Sequence, residues 1–112
     1  MYRGDREFVQ DIIEACTRIE LYTRALTYDE FLENTEKQDA VIRNIEIIGE
    51  AVKKLSDDFK NTYKEFEWRK IAGMRDALIH FYFGINIEVV WNVVIGEVPK
   101  LRRFLNKILE KL

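Results

Sequence analysis

An all-α fold, an up-and-down bundle of four to five helices that dimerises, is predicted for this 112-residue chain by three features. Apolar residues recur at three- and four-residue spacing through most of the sequence, and no segment alternates strictly as a half-buried strand does. The breaks between these stretches are short and carry capping or turn-forming residues, so successive helices must fold back on one another. The chain carries one histidine, which limits what a single copy can do by proton transfer and points to a paired assembly. Residues 1–112 read as a single domain, with no repeat, low-complexity tract or linker.

The first helix is drawn by Phe8, Ile12, Ala15, Ile19, Tyr22 and Leu26, one apolar seam about six turns long. Thr27-Tyr-Asp-Glu30 reads as a capping box that opens a second helical unit near Tyr28. Asn34-Thr35 divides that unit into a short piece and a longer one carrying Val41, Ile45, Ile48, Val52 and Leu55. Residues 56–62 are polar and turn-prone and read as a connection. A third helix is expected from about Tyr63 or Glu65 to Phe81, with Ile71, Met74, Leu78 and Phe81 inward. Gly84 and Asn86 end it and cap the last helix, whose seam is Ile87, Val90, Val94, Val98, Leu101, Leu105, Ile108 and Leu112. Pro99, just after Gly96, predicts a kink or break in that rod.

Composition narrows the function classes. Hydrophobic residues make up 47% and charged residues 34%, and the net charge of −2 excludes the global positive field of a nucleic-acid coat, so any RNA contact must be local. The single Cys16 excludes a disulfide within the chain, and Cys and His together are too few for a zinc site, so neither metal nor cofactor is expected. No stretch approaches the roughly 18 apolar residues of a membrane span, and the charged start lacks a signal core, so a cytoplasmic location without membrane attachment is expected.

The densest chemical information lies in residues 68–82, Trp-Arg-Lys-Ile-Ala-Gly-Met-Arg-Asp-Ala-Leu-Ile-His-Phe-Tyr. His80 can exchange a proton near neutral pH, and Arg75 can hold phosphate or stabilise developing negative charge. Taking Ile71, Met74 and Leu78 as inward, Asp76 and His80 turn outward with Ala72 and Gly73, a face with small residues where another backbone or a ligand could approach. Asp76 and His80 are an i, i+4 pair, so the carboxylate could orient the imidazole. Arg75 and His80 diverge by about 140° on an ideal helix, so either the helix distorts or two copies of the chain combine their residues. Lys100, Arg102, Arg103, Lys107 and Lys111 make a second basic feature, read as a solvated helix face or as a phosphate-tracking surface. Trp68 and Trp91 read as packing residues.

Arg75-Asp-Ala-Leu-Ile-His80-Phe-Tyr82 resembles the Arg-x4-His-x-Tyr signature of HEPN-domain proteins, specifically the HepT-like toxins of minimal nucleotidyltransferase/HEPN (MntA–HepT) modules. The likeness extends to Arg43-Asn-Ile-Glu-Ile-Ile-Gly-Glu-Ala, to the residues from Trp68 before the motif and to Phe83–Trp91 after it. It implies a helical bundle that dimerises with its motifs facing across a cleft, and a metal-independent endoribonuclease acting on RNA such as tRNA or mRNA. It also implies the toxin role in a type VII-like toxin–antitoxin module, with a cognate nucleotidyltransferase antitoxin as partner. Carried over, Arg75 and His80 are catalytic, Asp76 supports and orients them, and Tyr82 positions substrate and is the tyrosine that the antitoxin adenylylates. One departure is Asp76, where many members carry Asn. The alternative reading is a non-catalytic helical partner that positions a nucleotidyltransferase or its nucleotide.

Overall fold

The computed structural model describes residues 4–80 and 86–112, with the side chains of Arg75 and of residues 77–80 outside that description. The helices are α1 (Asp5–Thr23), α2 (Tyr28–Leu32), α3 (Thr35–Lys54), α4 (Asp57–Thr62), α5 (Trp68–His80), α6 (Ile87–Asn92) and α7 (Val98–Leu109). Val93–Glu97 form a π-helical turn that joins α6 to α7. No strand occurs among the described residues.

α1 buries Val9, Ile12, Ala15, Cys16 and Ile19. It stops at Thr23, short of the predicted Leu26, because the Thr23 hydroxyl donates to Ile19 O (2.8 Å) and Leu26 N closes a tight turn onto Thr23 O (3.0 Å). The capping box at Thr27 is present in full. Glu30 N donates to the Thr27 hydroxyl (3.2 Å) while the Glu30 carboxylate accepts from Thr27 N (2.9 Å), which lowers the Glu30 pKa. Phe31 is the one buried residue of α2 and stacks on Trp91 of α6 with ring centres 5.1 Å apart. Asn34 caps α3 by accepting from Lys37 N, and Gln38 donates to the carbonyls of Phe31 and Leu32 at the end of α2, both at 2.9 Å.

Residues 57–62, read from sequence as part of a connection, are helical. Ser56 accepts from Phe59 N (3.1 Å) as the cap, Asp57 and Asp58 suit the positive end of the helix, and Phe59 is buried beneath it. The same serine donates to Asp5 Oδ2 (2.6 Å), and its backbone N–H donates to Asp5 Oδ1 (2.8 Å), so the start of α1 is fastened to the end of α3. Arg6 reaches the other way, donating to Leu109 O at the end of α7 (3.3 Å).

The last rod keeps its predicted seam: Val90, Val94, Val98, Leu101, Leu105 and Ile108 are buried, whereas Leu112 is exposed. The irregularity expected at Pro99 is the π-helical turn. Proline cannot donate a backbone hydrogen bond and crowds the preceding turn, and the wider turn ahead of it accommodates both defects without breaking the rod. α3 packs against both α1 and α5, and α7 closes against α1.

Cys16 is fully buried, and burial first, then the Glu20 carboxylate, pushes its thiol up to about 12 against the opposing effect of Arg102. Iodoacetamide at pH 8.5 should leave the folded protein unmodified and alkylate it completely in urea, by mass spectrometry. The unfolded chain releases this proton near 9.0 and the folded chain only near 12, so stability falls as pH rises through that window, which urea titrations at successive pH values will read.

Candidate functional site

The Arg75–His80 part of the signature lies on α5, whose N-terminal end is fixed by aromatic packing. Trp68 is buried, donates through Nε1 to Tyr63 O (2.8 Å) and lies 5.7 Å from the rings of both Phe59 and Phe66. Phe66 in turn packs on Phe104 of α7 at 4.7 Å. These contacts explain why the helix begins at Trp68 and not at the predicted Tyr63 or Glu65: the intervening residues are used to build the anchor. Trp68 and Trp91 are both packing residues, as read from sequence.

Beyond this anchor α5 carries Arg75 and His80 on one continuous helical backbone. Five residues of helix separate them by about 7.5 Å along the axis and about 140° around it. The side chains of Arg75 and His80, and the whole of Phe81, Tyr82 and Gly84, lie outside the described residues. Ala72 was expected on the outward face and instead packs at the edge of the core, because α5 turns that side towards its neighbours in the bundle. At Gly73 a β-carbon would meet nothing within 4 Å among the described residues.

Asp76 is half exposed and forms an ion pair with Lys53 of α3, Nζ to Oδ1 3.5 Å. Lys53 was not identified from sequence: its partner is 23 residues away, and nothing in the local pattern of α3 marks it. Its neighbour Lys54 lies over the Phe8 ring of α1 at 6.0 Å, so the last turn of α3 sends one lysine to each flanking helix. On the inner side α5 and the last rod leave a groove of about 670 Å³, floored by Ile45 and Ile48 of α3 and rimmed by Lys70 and Lys100.

The basic segment of α7 divides. Arg102 is held by both carboxylate oxygens of Glu20, largely screened from solvent, and these hydrogen bonds raise the arginine pKa further. Lys100 lies over the Phe66 ring at 5.8 Å, and Arg103 and Lys107 are exposed. Arg102 is therefore structural, which leaves the phosphate-tracking reading to its neighbours. Asn44, from the Arg43–Ala51 stretch, is buried with its amide nitrogen donating to Ala40 O (2.9 Å) and its carbonyl oxygen unpaired among the described residues. No helix among the described residues is long and apolar enough to cross a membrane.

Comparison with known proteins identifies the family. The family described as HepT-like ribonucleases matches residues 12–108. An inferred RNase of Methanocaldococcus jannaschii is 45% identical over 107 residues, covering 96% of this chain and 88% of that protein. A ribonuclease of Thermococcus cleftensis, named as a probable HepT, is 43% identical over 108 residues, covering 96% of this chain and 98% of its own length. A second Methanocaldococcus jannaschii protein, named as a gamma-glutamylcyclotransferase and an inferred RNase, is 44% identical over 112 residues, 100% of this chain and 50% of that protein. No solved structure matches.

The anchor of α5 can be tested directly. Trp68→Phe keeps an aromatic ring but strands Tyr63 O, and should cost about 1 to 3 kcal/mol in urea unfolding. Its loss of protection in hydrogen exchange should concentrate at the start of α5.

Proposed function

This chain belongs to the HepT-like ribonuclease family, and from that footing we propose that it is the toxin of a toxin–antitoxin module, a metal-independent endoribonuclease whose site is assembled from two copies. The observation that carries the reading is the Arg75-x4-His80 spacing on α5 in a chain with one histidine. Cleaving RNA by transesterification requires one group to remove the 2′-hydroxyl proton and another to protonate the departing 5′-oxygen. A single imidazole cannot occupy both positions at once. A two-fold dimer supplies a second imidazole and a second guanidinium, and two-fold dimers are the commonest assembly.

In this reading the 2′-oxygen attacks phosphorus as one His80 accepts its proton, and the bond to the 5′-oxygen breaks as the second His80 donates one. The Arg75 guanidinium neutralises the charge that accumulates on the non-bridging oxygens, where a preorganised cation acts most strongly. The 140° divergence of the two residues on one helix also favours a composite site, because each copy can direct its arginine and its histidine to different parts of a shared cleft. At Gly73, one helical turn from Asp76, no described residue stands within 4 Å of where a β-carbon would lie, which suits close approach of the partner backbone.

Tyr82 is the regulatory acceptor in this scheme. Transfer of AMP from a nucleoside triphosphate by a cognate nucleotidyltransferase would form a phosphodiester at the phenolic oxygen and release pyrophosphate. The added phosphate would compete for Arg75 and obstruct the cleft. The rival reading, a non-catalytic partner of a nucleotidyltransferase, keeps Tyr82 but needs no proton transfer by His80.

His80→Ala and Arg75→Ala should each reduce cleavage of a purified RNA about 10²- to 10⁴-fold while circular dichroism stays that of the wild type, and EDTA should leave cleavage unchanged. Wild-type cleavage by His80→Ala would refute the catalytic assignment. Gly73→Ala should stabilise α5 by up to about 1 kcal/mol yet weaken the dimer in sedimentation, a pairing of effects that only an intermolecular approach at this site produces. Co-expression with the nucleotidyltransferase should raise the mass by about 329 Da per AMP on Tyr82 and suppress cleavage, and Tyr82→Phe should abolish the mass shift. An unmodified Tyr82 in a fully inhibited protein would show that inhibition works by binding alone.

A further inference from the structure

We propose that Lys53 is a positioning residue of the ribonuclease site, fixing Asp76 and cancelling its charge where the motif arginine meets substrate phosphate. The inference rests on the catalytic reading of Arg75 and His80 and adds to it a residue from a different helix.

A carboxylate directly after the arginine is a poor neighbour for RNA, since it sets a negative charge beside the cation that must attract a phosphodiester. Lys53 meets that carboxylate from across the α3–α5 interface, Nζ 3.5 Å from Asp76 Oδ1. It is supplied by the last turn of α3, where the helix dipole favours a cation. Its side chain is 43% exposed and that of Asp76 49%, and ion pairs this exposed add little to stability. Packing between α3 and α5 already sets the helix position, so the pair is not needed to hold the fold. What it changes is the local field and the orientation of the carboxylate. An ammonium has three donors, so one N–H can hold Asp76 while another remains for a phosphate oxygen.

The test is a comparison of Lys53→Met, Lys53→Arg, Asp76→Asn and the double variant Lys53→Met/Asp76→Asn in steady-state cleavage of a defined oligoribonucleotide, with His80→Ala alongside. Lys53→Met should lower kcat/KM about 10- to 100-fold, chiefly through KM at low salt, with Tm within about 2 °C of the wild type. Lys53→Arg should retain most activity. Adding Asp76→Asn to Lys53→Met should restore most of the loss, because the isosteric amide carries no charge to cancel. A lysine with a merely structural role would give no such rescue. Wild-type kinetics for Lys53→Met, or a double variant no better than the single one, would overturn the proposal while the catalytic reading stands. Full activity in His80→Ala would instead overturn that reading and the role of Lys53 with it.

Discussion

The position of the motif helix is decided by α3. That helix buries Val41, Ile45, Ile48 and Val52 almost completely, packs along one side on α1 and offers the other to α5. Each such side chain contributes roughly 1.5 to 3 kcal/mol when withdrawn from water, so this shared surface outweighs any single polar contact in the bundle. α7 reaches the structure mainly through α1, and a groove remains between α5 and the last rod. Among the described residues α5 is therefore supported chiefly by α3.

Much of this architecture was legible in the sequence because it depends on local signals. The Thr27 capping box, the Asn34 break, the Asn86 cap and the seam of the last rod are all statements about residues two to four apart, and all are present except that Leu112 is exposed. The missed helix α4 shows the limit of composition: polar residues suggested a loop, but Ser56, two aspartates and a single buried Phe59 suffice for a short helix. Val9 and Cys16 of the core were not in the predicted seam, since a helix enclosed by several partners buries a broader arc than one stripe. In the candidate site, the spacing of Arg75 and His80 could be read directly, whereas the lysine facing Asp76 could not. Contacts 23 residues apart on different helices depend on how those helices rotate in the assembled bundle, and α5 is turned far enough to bring Ala72 against the core.

The electrostatics also reconcile an acidic chain with a polyanionic substrate. A net charge of −2 gives no long-range attraction to RNA, so binding must come from a few cations at short range. Several basic residues are already engaged within the protein: Arg102 by Glu20, Lys100 by the Phe66 ring and Lys54 by the Phe8 ring.

The π-helical turn before Pro99 acts as a phase correction in the last rod. Val90, Val94 and Val98 follow one another at two successive spacings of four, which on a regular α-helix would carry the seam steadily around the axis by about 40° at each step. The wider turn absorbs this drift, so that Leu101, Leu105 and Ile108 emerge facing the same interior as Val90. Wound as an unbroken α-helix, the same residues would carry everything downstream about 80° out of phase with Val90 and bring the charged flank of α7 inward. The apparent defect at the centre of this rod is thus what keeps its two halves part of one core.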